Sequence, residues 1–203
     1  MSELGQWLKL HYRWLLLALL MMGLALRILL FIFVPYPYGY AYDPYYKGIL
    51  VFYNEGHIPR VGDCWECYHP PLFYALSLPF YALGMNLSHH IDTALRCALL
   101  LPMACGLWIV WYGYRLFTLF RRSRGNRVLG LALLLAFPCL FISSAGLDVD
   151  ILLTTILVTL IYYLVLYFHR PDERPWSRPI LLGILCGLAI ATKFTGMMGL
   201  LVA

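Results

Sequence analysis

Apolar residues run almost without interruption through five stretches of the chain, roughly 14–34, 93–120, 128–143, 151–168 and 180–203. A helix needs about 20 apolar residues to cross a bilayer, and the third stretch falls short of that. The pattern predicts an all-α fold: a polytopic membrane protein with about five transmembrane helices. The first stretch is too long for the apolar core of a signal peptide and has no clear small-x-small cleavage site. It reads as an uncleaved anchor.

Residues 35–92 follow a different pattern, and they are too many for a simple connection. Asp43-Pro44 suits a helix start, with Asp as cap and Pro at the first helical position. Tyr45, Tyr46, Ile49, Leu50 and Tyr53 then share one helical face, and Gly56 is placed to end the helix. This amphipathic segment is expected to lie along the outer leaflet. A second helix is expected after His69-Pro70-Pro71, running to about Gly84. At roughly 14 residues it suits a re-entrant or interfacial position better than a span. Eight of the sixteen tyrosines fall between Tyr36 and Tyr68. Their rings are apolar and their hydroxyls wet, which suits a membrane interface.

Composition narrows the class. The chain is 62% hydrophobic and 12% charged, with mean hydropathy +0.75, whereas a soluble domain carries about 25% charged residues. A water-soluble globular domain, a disordered tail and a collagen-like chain are excluded. The net charge is only +5 and the bases sit in short loops, so nucleic acid is not an expected partner.

Charge also predicts orientation. Lys9 and Arg13 precede the first stretch; Arg121, Arg122, Arg124 and Arg127 fill the turn between the second and third; Arg170, Arg174 and Arg178 separate the fourth and fifth. The positive-inside rule places these, and the N-terminus, in the cytoplasm. Asp43, Glu55, Asp63, Glu66, Asp92, Asp148 and Asp150, seven of the ten acids, then fall on the other side. Residues 35–92 are accordingly expected to form an extracytoplasmic loop. The membrane is a cell membrane, or that of the endoplasmic reticulum if the source is eukaryotic. The last apolar stretch reaches Leu200-Leu201-Val202-Ala203 with no polar tail, so 1–203 reads as the N-terminal module of a longer protein.

A few residues stand out chemically. Cys97, Cys105, Cys139 and Cys186 fall in apolar stretches and read as small buried hydrophobes. Cys64 and Cys67 form Cys64-Trp65-Glu66-Cys67 in the outer loop. Spacing alone leaves a disulfide, free thiols, and a metal site shared with His57 or His69 all open. Asp43, Asp148 and Asp150 are placed to cap helices and favour their dipoles. Arg27 and Lys193 are less ordinary. Each lies about 14 residues into a stretch entered from the cytoplasm, some 20 Å deep at ~1.5 Å per residue. A charge there must snorkel, pair or face water.

The order of these features resembles the protein O-mannosyltransferases of glycosyltransferase family 39, within the wider GT-C superfamily that includes the lipid A aminoarabinose transferases. The shared features are Asp43 after the first span and His69-Pro70-Pro71-Leu72 about 26 residues later. Gly146-Leu147-Asp148-Val149-Asp150 at the outer start of span four is similar too. So is the Gly187-Leu188-Ala189 to Thr192-Lys193 and Gly196 stretch in span five. One departure is that Asp43 is followed by Pro44, where the O-mannosyltransferases carry Glu.

The resemblance implies a glycosyltransferase that moves a hexosyl or pentosyl group from a polyprenyl-phosphate carrier to a lipid, glycan or protein acceptor outside the cytoplasm. Asp43 would be the base, with Asp148 and Asp150 orienting the acceptor or assisting proton transfer. Lys193, Arg27 and His69 would meet the donor phosphate. The resemblance assigns no metal ligands and no certain cofactor, and leaves a divalent metal open. No Gly-rich βαβ signature for a nucleotide sugar is present in the sequence. The rival reading is a lipid-linked saccharide transporter or a non-catalytic membrane subunit, since Arg27 and Lys193 would also suit a transport path.

Overall fold

The computed structural model describes residues 3–33, 45–120, 123–169, 177–197 and 199. The described residues are helical and form no strands beyond an isolated bridge between Val61 and Cys64. The order is α1 (Glu3–Phe33), α2 (Tyr46–Glu55), α3 (Leu72–Ser88), α4 (Ile91–Ala98), α5 (Leu100–Leu119), α6 (Arg124–Ala136), α7 (Pro138–Ser143), α8 (Val149–His169) and α9 (Ser177–Thr192). A 3-10 turn, Phe194–Met197, follows.

Three of these are long and apolar enough to cross a membrane: His11–Phe33 within α1, Ile91–Leu119 across α4 and α5, and Val149–His169. α3 and α9 are shorter apolar helices of 17 and 16 residues. The protein is an all-α membrane protein.

Two expected spans take a different form, and backbone chemistry explains both. The 128–143 stretch is not one helix. Pro138 forces the preceding Phe137 into an extended conformation (φ −68°, ψ 113°) and starts α7 as its first residue. The fifth helix stops at Thr192, and Gly196 folds so tightly against the Ala189 carbonyl that a Cβ there would overlap it. Lys193 therefore stands in the break between α9 and the 3-10 turn, not in the interior of a span. A similar rule marks Leu99. Pro102 has no N–H to offer the carbonyl of Ala98, and the α4–α5 helix is interrupted one residue later than that carbonyl.

The helices pack as a series: α1 on α6, α6 on α5, α5 on α8, α8 on α9. Lipid supplies little hydrophobic drive between helices, so polar contacts and close approach matter more. Trp108 donates to Thr159 Oγ1 at 3.0 Å, and Arg115 to the Tyr162 hydroxyl at 2.8 Å, joining α5 to α8. Arg96, in the last turn of α4, donates to the Phe31 carbonyl at 3.0 Å and so satisfies the end of α1. The outer face of α1, with Trp14, Met21, Ile32 and Phe33, is exposed apolar surface of the kind a bilayer covers.

Within the 35–92 segment, α2 ends at Gly56, whose φ of 69° needs a residue without a Cβ. Its buried side, Tyr45 and Ile49, packs on α3, and the Tyr74 ring fills the space where Gly48 lacks a side chain. The apolar face expected to meet lipid is thus partly covered by α3. α3 in turn packs closely on α4, where a Cβ on Gly84 would stand 2.5 Å from the Ala94 Cα.

Candidate functional site

The candidate residues among those described fall in three places. The first lies where α8 begins and α9 ends. Asp148 precedes α8, and its Oδ1 accepts the Asp150 N–H at 2.9 Å, which satisfies one of the free donors of the first turn. The carboxyl is half-buried, and burial, helped by the neighbouring Asp150 charge, pushes its pKa up. Hydrogen bonds from the Ser143 side chain and the Asp150 N–H, and the charge of Lys193, pull it back in part. Asp150, two residues on, points outward and accepts from Lys193 Nζ at 2.7 Å. The Asp150 side chain is 52% exposed and that of Lys193 19%. An ion pair this open contributes about 0–1 kcal/mol to stability. Its larger effect is to fix an ammonium and a carboxylate side by side at an accessible surface.

Lys193 has three N–H donors and gives one to Asp150. The others can be offered to an oxyanion. The Asp148 carboxylate accepts the Asp150 N–H, and the two side chains differ in solvent access. The pair therefore combines a half-buried carboxyl that caps a helix with an open one paired to a lysine.

The second place is the turn before α3. His69 Nε2 stands 3.2 Å from Glu66 Oε2, and both side chains are buried. The rings of Tyr45 and Tyr68 flank the imidazole at 5.7 and 4.1 Å. Cys64 and Cys67 are joined in a disulfide, so their sulfurs offer no thiolates to a metal. His57 is engaged elsewhere. It lies 2.8 Å from Glu55 Oε2 and 3.0 Å from the Ile58 carbonyl, and these partners, with Asp63, raise its pKa.

The third is Arg27. It is 1% exposed, its Nη1 donates to the Gly23 carbonyl at 3.1 Å, and its guanidinium lies 5.7 Å from the centre of the Phe141 ring. Gly106 leaves the room it occupies next to Ser144. Nε and Nη2 have no hydrogen-bond partner among the described residues. Arg27 is thus enclosed by helices and stands apart from the Asp150–Lys193 pair in its contacts. Asp43 lies outside the described residues.

The structure therefore brings Asp148, Asp150 and Lys193 into one cluster, although Lys193 and Asp150 are 43 positions apart. It puts His69 with Glu66 and leaves Arg27 in a separate enclosure. Sequence reasoning counted Glu66 only as one more outer acid. Its position three residues before His69, in a turn, was the available signal. An apolar cleft of about 600 Å³ opens between α8 and α9, lined by Leu164, Phe168, Leu182, Gly183, Cys186 and Ile190. Leu164 is 14 residues along α8 from Asp150, roughly 20 Å at ~1.5 Å per residue, so this cleft is remote from the charged cluster.

The family model described as dolichyl-phosphate-mannose-protein mannosyltransferase matches residues 68–203, about two thirds of the chain. No curated protein and no solved structure matches.

Proposed function

Since the chain belongs to the dolichyl-phosphate-mannose-protein mannosyltransferase family, a family of membrane glycosyltransferases with lipid-linked sugar donors, we propose that it transfers a sugar from a polyprenyl-phosphate carrier to an acceptor on the extracytoplasmic face. The observation that carries this reading is the Asp150–Lys193 pair beside Asp148, inside the matched region. Transfer needs a base for the acceptor hydroxyl and cations for the phosphate that leaves. Lys193 supplies the cation, with His69 and Arg27 as further donor-phosphate groups. Asp43 is the base, and Asp148 and Asp150 orient the acceptor or pass on its proton.

Transfer of radiolabelled sugar from polyprenyl-phosphate carriers, measured in reconstituted vesicles with the full reading frame, tests this. Asp43→Asn should lower kcat by about 10²–10⁴-fold with folding intact, the usual loss for a positioned base. Lys193→Gln should raise KM for the donor more than it lowers kcat, and Lys193→Arg should restore part of the loss. Unchanged transfer by Asp43→Asn would remove that residue from the base role. Carrier movement without transfer in every variant would favour the transporter reading.

A further inference from the structure

The turn at residues 64–74 is built to hold one carboxylate. The Cys64–Cys67 bridge closes a loop whose third residue is Glu66. Main-chain bonds from the Cys67 N–H to the Cys64 carbonyl and from the His69 N–H to the Glu66 carbonyl, both 3.2 Å, tighten it. The Glu66 carbonyl also accepts the Tyr74 hydroxyl at 2.7 Å, and the Tyr74 ring is pinned against Gly48 of α2. Within this loop Trp65 points out, 77% exposed, while Glu66 points in. The Glu66 and His69 side chains are 3% and 4% exposed and 3.2 Å apart. A carboxylate taken out of water is unfavourable unless a donor or cation meets it, and the His69 imidazole stands at that distance from Glu66.

We propose that Glu66 is a positioning residue for the transfer reaction: the Cys64–Cys67 bridge holds its carboxylate against His69, and opening the bridge releases both. The bridge is thereby a redox-sensitive clamp on the segment that leads into α3. Reduction by a dithiol breaks the Cys64 Sγ–Cys67 Sγ bond. The dithiol supplies two electrons and two protons, closes to its own cyclic disulfide, and leaves two cysteine thiols. The positioning role rests on the transferase reading; the hold of the loop on His69 does not.

Two readouts on the full-length protein in lipid nanodiscs separate them. The first is modification of His69 by diethyl pyrocarbonate, followed by peptide mass spectrometry. Exposed His89 and His90 serve as internal standards. His69 should react slowly in the oxidised protein. Its rate should rise at least about fivefold after dithiol reduction, in Cys64→Ser/Cys67→Ser and in Glu66→Gln, as a group moved from buried to exposed. The second is sugar transfer. Reduction should raise KM for the lipid donor about tenfold with KM for the acceptor unchanged. It should have no further effect in Glu66→Gln, because the bridge acts through that carboxylate. Continued protection of His69 after verified reduction would overturn the proposal, as would losses from reduction and Glu66→Gln that multiply. Exposure of His69 on reduction with no transfer by the wild type would overturn the transferase reading and the catalytic role of Glu66, while the loop's hold on His69 stands.

Discussion

At the scale of single residues, Asp148 and Asp150 show how two carboxyls of one motif come to differ. Asp148 faces inward and accepts the Asp150 N–H, while Asp150 faces outward to Lys193. Burial raises the Asp148 pKa, so the folded protein binds that proton more readily than the unfolded chain does. Stability should therefore fall as pH rises from the ordinary carboxylate value, about 3.9, through the raised native value. Asp148→Asn retains an oxygen for the Asp150 N–H and removes the charge. Its unfolding temperature in detergent should equal or exceed the wild type at neutral pH and lose this pH dependence. Asp148→Ala also loses the cap and should be less stable than Asp148→Asn by about 0.5–2 kcal/mol. If the two variants melt together, the capping bond contributes nothing. Both aspartates were visible in the sequence as acids at a helix start. Which one turns inward was not, because that depends on Ser143 and Lys193, which reach the site from α7 and from the end of α9.

At the scale of elements, close approach between helices is set by a few small residues. Gly84 lies against the Ala94 backbone, where an added methyl has nowhere to go. Gly183 in α9 has nothing within 4 Å of the same position. Gly84→Ala should cost about 1–3 kcal/mol by overpacking the α3–α4 contact. Gly183→Ala should be neutral or stabilising by about 0.5–1 kcal/mol, since alanine favours a helix interior. Thermal unfolding of the two variants side by side decides the point, and equal costs would show that the α3–α4 contact yields easily. The stop of α2 at Gly56, the helix after His69-Pro70-Pro71 and the break at Pro138 follow from local chemistry that can be read along the chain, whereas α2 starts at Tyr46 with no side-chain cap and Asp43 and Pro44 lie outside the described residues. The Gly84–Ala94 contact cannot, because a glycine in an apolar helix carries no mark of what faces it.

At the scale of the whole molecule, the helices form a series α1, α6, α5, α8 and α9, with α2 packed on α3 and α3 touching α4, α5 and α9. The positive-inside rule predicts a cytoplasmic N-terminus and an α2–α3 segment on the other side. Single cysteines at Ile58→Cys and Ser123→Cys, both exposed positions, test this in sealed cells or vesicles. A membrane-impermeant maleimide should label position 58 from the outside and position 123 only after permeabilisation; the reverse pattern would invert the topology. Hydropathy, proline and glycine placement, and the sidedness of charge are properties of short windows, and the solvent they answer to is the bilayer. They determined by themselves that this is an all-α membrane protein, roughly where its apolar helices lie, and which residues carry unusual charge. Tertiary packing alone decided that Lys193 meets Asp150 and that Arg27 is shut between α1, α5 and α7. Such pairings join positions whose separation along the chain carries no information about distance. A buried charge takes whichever partner the packed helices bring within reach.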